Sequence, residues 1–170
     1  MSRVPMIVVF ATLLAACGSS DGSPTERLWI SGVPSKGTEA MSAFVTTRTG
    51  DGKYIGAFFQ GSAYRGTHDV FEWRTDGKDA ARLKFLQDGH SMRVRFETCP
   101  KKTGFDFCLL VRGDDGREQR YYSRKRWNVR RPGKKQDVLD AVSVPSVLAE
   151  VAEDDEELQA VLELPAADAE

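Results

Sequence analysis

The chemically unusual residues of this 170-residue chain gather toward its end. From Arg117 to Lys135 the sequence reads REQRYYSRKRWNVRRPGKK, nine basic residues against one acid, a net of +8. From Gln136 to Glu170 there are eleven acids and no lysine or arginine. Taken as an extended segment, 118–130 places Arg120, Tyr122, Arg124, Arg126 and Arg130 on one face and Tyr121, Trp127 and Val129 on the other, because side chains alternate along a strand. Guanidinium groups grip phosphate, carboxylate and sugar-acid groups through paired hydrogen bonds. The arginine face is therefore a candidate site for an anionic lipid, an envelope polymer or a protein partner. The plainer reading of the same charges is a solvated face neutralised by the chain's own acidic tail. Nucleic acid fits the charge, but no RRM, KH or zinc signature accompanies the patch and no nucleic-acid partner is expected.

Candidates for catalysis are few. His68 stands beside Asp69, His90 lies further along, and Ser62 is the nearest upstream serine, with no GxSxG around it. HExxH, GxGxxG, an EF-hand pattern and a glycine-rich phosphate loop are all missing from the sequence. Two histidines and three cysteines, without CxxC, are too few for histidine-rich catalytic metal sites or a zinc finger. The expectation is a protein that is not an enzyme, with no catalytic residue, metal or cofactor. The aromatic residues Tyr54, Phe58, Phe59, Tyr64, Phe71 and Trp73 read first as core. In a small barrel, Phe58, Phe59 and Trp73 are the candidate lining of a cavity for one apolar ligand.

Cys17 carries a different chemistry. Residues 1–16 contain Arg3 and the apolar run VPMIVVFATLLAA, the layout of a secretory signal peptide. The run falls short of the ~20 apolar residues that span a bilayer. Leu14, Ala15, Ala16 and Cys17 read LAAC, which resembles the lipobox of bacterial lipoproteins. That resemblance implies that Cys17 becomes the mature N-terminus, carrying diacylglycerol and usually an amide-linked chain. At about 0.8 kcal/mol per buried methylene, two or three acyl chains anchor a protein to a membrane where one does not. An ordinary secretory signal with an incidental cysteine is the alternative. Residues 17–26 then form a flexible tether, GSSDGSPT following the cysteine. Gly18 stands where an aspartate would resemble an inner-membrane retention signal, which points to the outer membrane of a bacterial cell envelope.

The elements that must position these residues are strands. A hydrophobic fraction of 41% with 29% charged residues excludes a collagen-like chain, a wholly disordered one and a polytopic membrane protein, whereas the net charge of −1 decides little. Asp-Gly recurs at 51–52, 76–77, 88–89 and 115–116, a dipeptide suited to two-residue hairpin turns in which both positions take positive φ. Between the turns the sequence alternates, with Met92, Val94, Phe96 and Thr98 on one face and Arg93, Arg95 and Glu97 on the other. This predicts strands near 28–33, 42–49, 53–60, 67–75, 79–87, 90–99, 105–113 and 118–129. Short connections make neighbours antiparallel, and closure removes exposed edges. The expected fold is all-β: a single antiparallel eight-stranded up-and-down barrel over 27–131, a two-sheet sandwich being the alternative. The tail, 132–170, has Val147, Leu148, Val151, Leu158, Val161 and Leu162 at helical spacing, Pro145 near a helix start and the acid run Glu153–Glu157. It is expected to be partly helical or disordered.

Cys99 and Cys108 lie opposite each other if Thr103-Gly104 forms the intervening turn, and both share parity with outward-facing residues. Outside the inner membrane such a pair forms a disulfide.

The outline resembles the lipid-anchored calycin-type barrels, among which lipocalins hold a small hydrophobe and lipoprotein lysozyme inhibitors plug an enzyme with the barrel surface. The segments GAFFQGSAYRGTHDVFEW and YYSRKRW resemble those of predicted lipoproteins of myxobacteria, a likeness that implies no activity. The sequence therefore leads to three functions: first, a lipid-anchored envelope protein that binds an anionic component or a protein through the arginine strand; second, a carrier of a small hydrophobic ligand; third, an inhibitor or immunity-type lipoprotein.

Overall fold

The computed structural model describes residues 23–62, 65–129 and 142–163. Eight strands follow in chain order: β1 (Leu28–Ile30), β2 (Met41–Arg48), β3 (Tyr54–Gly61), β4 (Gly66–Thr75), β5 (Ala80–Phe85), β6 (Ser91–Thr98), β7 (Phe107–Gly113) and β8 (Glu118–Ser123). Each is antiparallel to the next, and Ile30 beside Tyr122 closes β1 onto β8. The sheet is a closed barrel, not a sandwich.

The glycines of all four Asp-Gly pairs take positive φ, at 84°, 93°, 73° and 79°. The aspartates do not, since Glu26 is the one described non-glycine residue with positive φ. The expected two-residue turns are therefore corrected to longer ones. At the β2–β3 corner Gly52 N–H donates to Thr49 O at 2.9 Å and Thr49 N–H donates to Lys53 O at 2.8 Å. A turn followed by one left-handed residue needs glycine at a single position, and the aspartate stays in ordinary conformational space.

Two apolar layers share the barrel wall. Inside lie Trp29, Phe44, Phe71, Trp73, Leu83, Val94, Phe96, Leu109 and Tyr121. Outside β1–β3 lie Leu28, Ile30, Ala43, Val45, Ala57 and Phe59, covered by residues from the C-terminal segment. That segment forms α1 (Val144–Ala152), with Pro145 in its first turn, and α2 (Glu156–Glu163). Val147, Leu148 and Val151 of α1 and Leu158 and Val161 of α2 are buried, each such side chain contributing about 1.5–3 kcal/mol when fully removed from water. Within 142–163 the tail is thus ordered helix and part of the core. β5 and β6 turn their outer faces to solvent, which is why Arg82, Arg93 and Arg95 alternate cleanly with buried Leu83, Val94 and Phe96. No described helix is long and apolar enough to cross a membrane.

Candidate functional site

The lumen is open at the end reached by the β3–β4, β5–β6 and β7–β8 connections and holds a cavity of about 590 Å³. Its depth is apolar and mostly aromatic: Phe44, Phe58, Phe71, Trp73, Leu83, Val94, Phe96 and Tyr121 line it. Trp73 stacks on Phe96 with ring centroids 4.9 Å apart, and Tyr121 meets Phe44 edge-on at 4.9 Å. Burial pushes the Tyr121 phenol above its ordinary range, with a hydrogen bond to Ser42 acting against the shift. Polar lining comes from Ser42, Gln60, Asp115, Arg117, Glu118 and Gln119, at strand ends and in the β7–β8 turn. The shape suits a molecule with an apolar body and a polar group held at the rim.

The opposite end is floored by Arg27. Its guanidinium lies 4.3 Å from the centroid of the Phe107 ring, and its Nη1 donates to Arg124 O at 2.6 Å. Beneath this floor the barrel meets the tail. Asp155, fully buried between α1 and α2, accepts from Arg124 Nη1 at 2.6 and 2.7 Å and from Trp127 Nε1 at 2.8 Å, with Arg126 Nη2 3.0 Å away. Arg124 also pairs with Glu157 and donates through Nε to Gly104 O at 2.8 Å. Burial alone would raise the Asp155 carboxyl, but hydrogen bonds from Trp127 and Arg124 outweigh it and hold the group below the usual carboxylate range.

The structure distributes the expected site residues over three places. Phe58 and Trp73 face the lumen together. Phe59, one residue on, necessarily points the other way; it packs under the helices and lies 5.1 Å from the His68 ring, so its assignment to the cavity is corrected. The predicted last strand, 118–129, ends at Ser123, where Trp127 N–H donates to Arg124 O and turns the chain beneath the barrel. Arg120 and Tyr122 lie on the outer face of β8, Tyr122 against Phe105 at 5.1 Å. Arg124 and Arg126 leave that face and are held by the tail, while Arg130 falls outside the described residues, as do Tyr64 and Cys17. His90 stacks on Phe85 at 6.3 Å. Cys99 and Cys108 form a disulfide with Cα atoms 5.1 Å apart, and Phe105 N–H donating to Lys102 O centres the turn on Thr103-Gly104.

Sequence reasoning did not assign Phe44, Leu83 or Tyr121 to a lumen, although strand parity with Trp73 through the hairpin registers places them there. Asp155 was hidden inside a run of like charges. Comparison with protein-family models, with curated proteins and with solved structures returns no match.

Proposed function

We infer that the protein is a lipid-anchored envelope protein, held through Cys17, whose barrel binds one small, mainly apolar ligand in its lumen. The observation that carries this reading is the cavity of about 590 Å³ with an aromatic depth and a polar rim. Its size falls within the ~300–1,000 Å³ of sites that enclose small molecules. Binding by the arginine strand has less support, because the tail already occupies Arg124 and shares Arg126.

The test is native mass spectrometry of protein gently solubilised from its own envelope and washed with rising salt. A retained small molecule, lost on Trp73→Ala and indifferent to salt, supports the reading. Ligand-free protein in a stoichiometric complex with another protein overturns it in favour of partner capture. Lipidation is read from the same spectra as the added mass on Cys17, and its absence removes the anchor from the proposal.

A further inference from the structure

We propose that the lumen selects an uncharged amphiphile, an apolar body ending in a hydroxyl or amide head, and that Gln60 and Gln119 hold that head at the mouth. The proposal rests on the lumen being the ligand site, and it names the head group that the site accepts.

Strand register decides which side chains meet the head. Gln60 is the last inward residue of β3 and stands directly opposite Ser42, the first inward residue of β2. Gln119 is the first inward residue of β8, on the same face as Tyr121 and opposite Val111 of the lining. Ser42 and Tyr121 share a hydrogen bond. The mouth thus carries two primary amides and two hydroxyls, groups that both donate and accept. Both glutamines are exposed. Among the described residues the Gln60 amide has no hydrogen-bond partner, and Gln119 Nε2 donates to Arg120 O at 3.1 Å. Each glutamine therefore keeps its side-chain carbonyl and at least one N–H for a ligand.

The charges of the rim are already matched. Arg117 lies 3.3 Å from Asp115, which also accepts from the Arg117 backbone N–H, and the arginine side chain is 91% exposed. Glu118 alternates to the outer face, where Arg112 holds it. These three are the charged residues of the lining. Asp69, the inward residue before Phe71 on β4, is half-buried and lies outside the lining. A carboxylate or phosphate head drawn into this mouth would face Asp69 and would have to take Arg117 from Asp115. An ammonium head would find both carboxylates of the lining paired and would reach Asp69 only beyond it. A charge removed from water without a partner costs far more than a hydroxyl or amide whose hydrogen bonds are remade. The neutral polar groups at the mouth remake them for an uncharged head, while the aromatic depth takes the apolar body.

The experiment uses the chain from Gly18 to Glu170, which keeps every described residue, in calorimetric titrations below the micelle concentration. The probes are monodecanoylglycerol, decanoate and decyltrimethylammonium, which share an alkyl length and differ in the head. The glycerol ester should bind about tenfold or more tighter than either charged probe. Gln60→Leu combined with Gln119→Leu should weaken the ester about tenfold and erase the preference, whereas Gln60→Lys should raise the affinity for decanoate by supplying the missing cation. Circular dichroism confirms that each variant is folded. Decanoate or the ammonium binding as tightly as the ester overturns the proposal and leaves the lumen as the ligand site, and so does a preference that survives the loss of both glutamines. Failure of all three probes to bind, or binding that Trp73→Ala leaves unchanged, overturns the lumen reading itself and this proposal with it.

Discussion

Arg124 and Asp155 lie 31 positions apart, and Nη1 of the arginine donates to both oxygens of a carboxylate that has no exposure to solvent. Trp127 Nε1 and Arg126 complete the shell around that carboxylate. One acid therefore gathers donors from the turn after β8 and fixes the linker between α1 and α2 against the barrel floor. A buried charge with this many partners is stable only while all of them stay in place.

Asp155→Ala should accordingly cost about 3 kcal/mol, the range found when one member of a buried ion pair is removed. Urea unfolding measures the loss, and hydrogen exchange locates it. Residues 144–163 should exchange much faster, and β5–β7, which lie away from the main helix contacts on β2 and β3, should change least. Uniform exchange across the barrel would show that Asp155 does not act as the joint.

The same carboxylate gives the tail an acid dependence. Its native pKa is depressed, so its contribution is complete above the ordinary carboxylate range, near pH 4, and is lost as pH falls through the lower native value. Between neutrality and about pH 5 the helices should stay docked, and they should release at lower pH. Trp127, wholly buried beside Asp155, reports this through its fluorescence, read in a variant with Trp29 and Trp73 replaced by phenylalanine. Asp155→Asn removes the titrating group, and a transition that persists unchanged in that variant would assign the acid response elsewhere.

Legibility of the sequence followed the number of wet faces. β5 and β6 face solvent on one side, so Leu83, Val94 and Phe96 alternate with arginines and the strands could be read directly. β1 is buried along its whole length, and β2 and β3 are covered on both sides in part. In GAFFQ the pattern then carries no parity, which is why Phe58 and Phe59 could not be separated without the register Phe44 with Phe58 and Ala43 with Phe59. The arginine strand misled for a different reason: alternation of charge continues through Arg124 and Arg126, but the backbone has already turned. Nor does a run of five acids reveal which one is buried, since that depends on partners far away in sequence.

The Cys99–Cys108 bridge closes a short loop at a sequence separation of 9. A loop of that length gives about 2.5 kcal/mol in the chain-entropy account. Reduction should lower the urea midpoint by a corresponding amount, and C99S/C108S should remove the difference between oxidising and reducing conditions. A reductant effect that survives in the double variant would point to Cys17.

Gly56 offers the sharpest test of the lumen's shape. It faces inward on β3, and a Cβ placed there would lie 2.5 Å from the Phe71 ring and 2.8 Å from Val45 O. Gly56→Ala must therefore push that ring toward the cavity it lines, at about 1–3 kcal/mol for overpacking of this kind. Stability alone does not separate crowding by the ring from crowding by the backbone, so Phe71→Leu supplies the second arm. If the ring is the obstacle, the alanine should cost much less in the leucine background, a coupling read from the double-mutant cycle in urea. If the Val45 carbonyl dominates, the two costs should simply add. Ligand retention follows the same logic: the ring displaced by Gly56→Ala narrows the lumen and reduces retention, while Phe71→Leu restores room and with it the bound molecule.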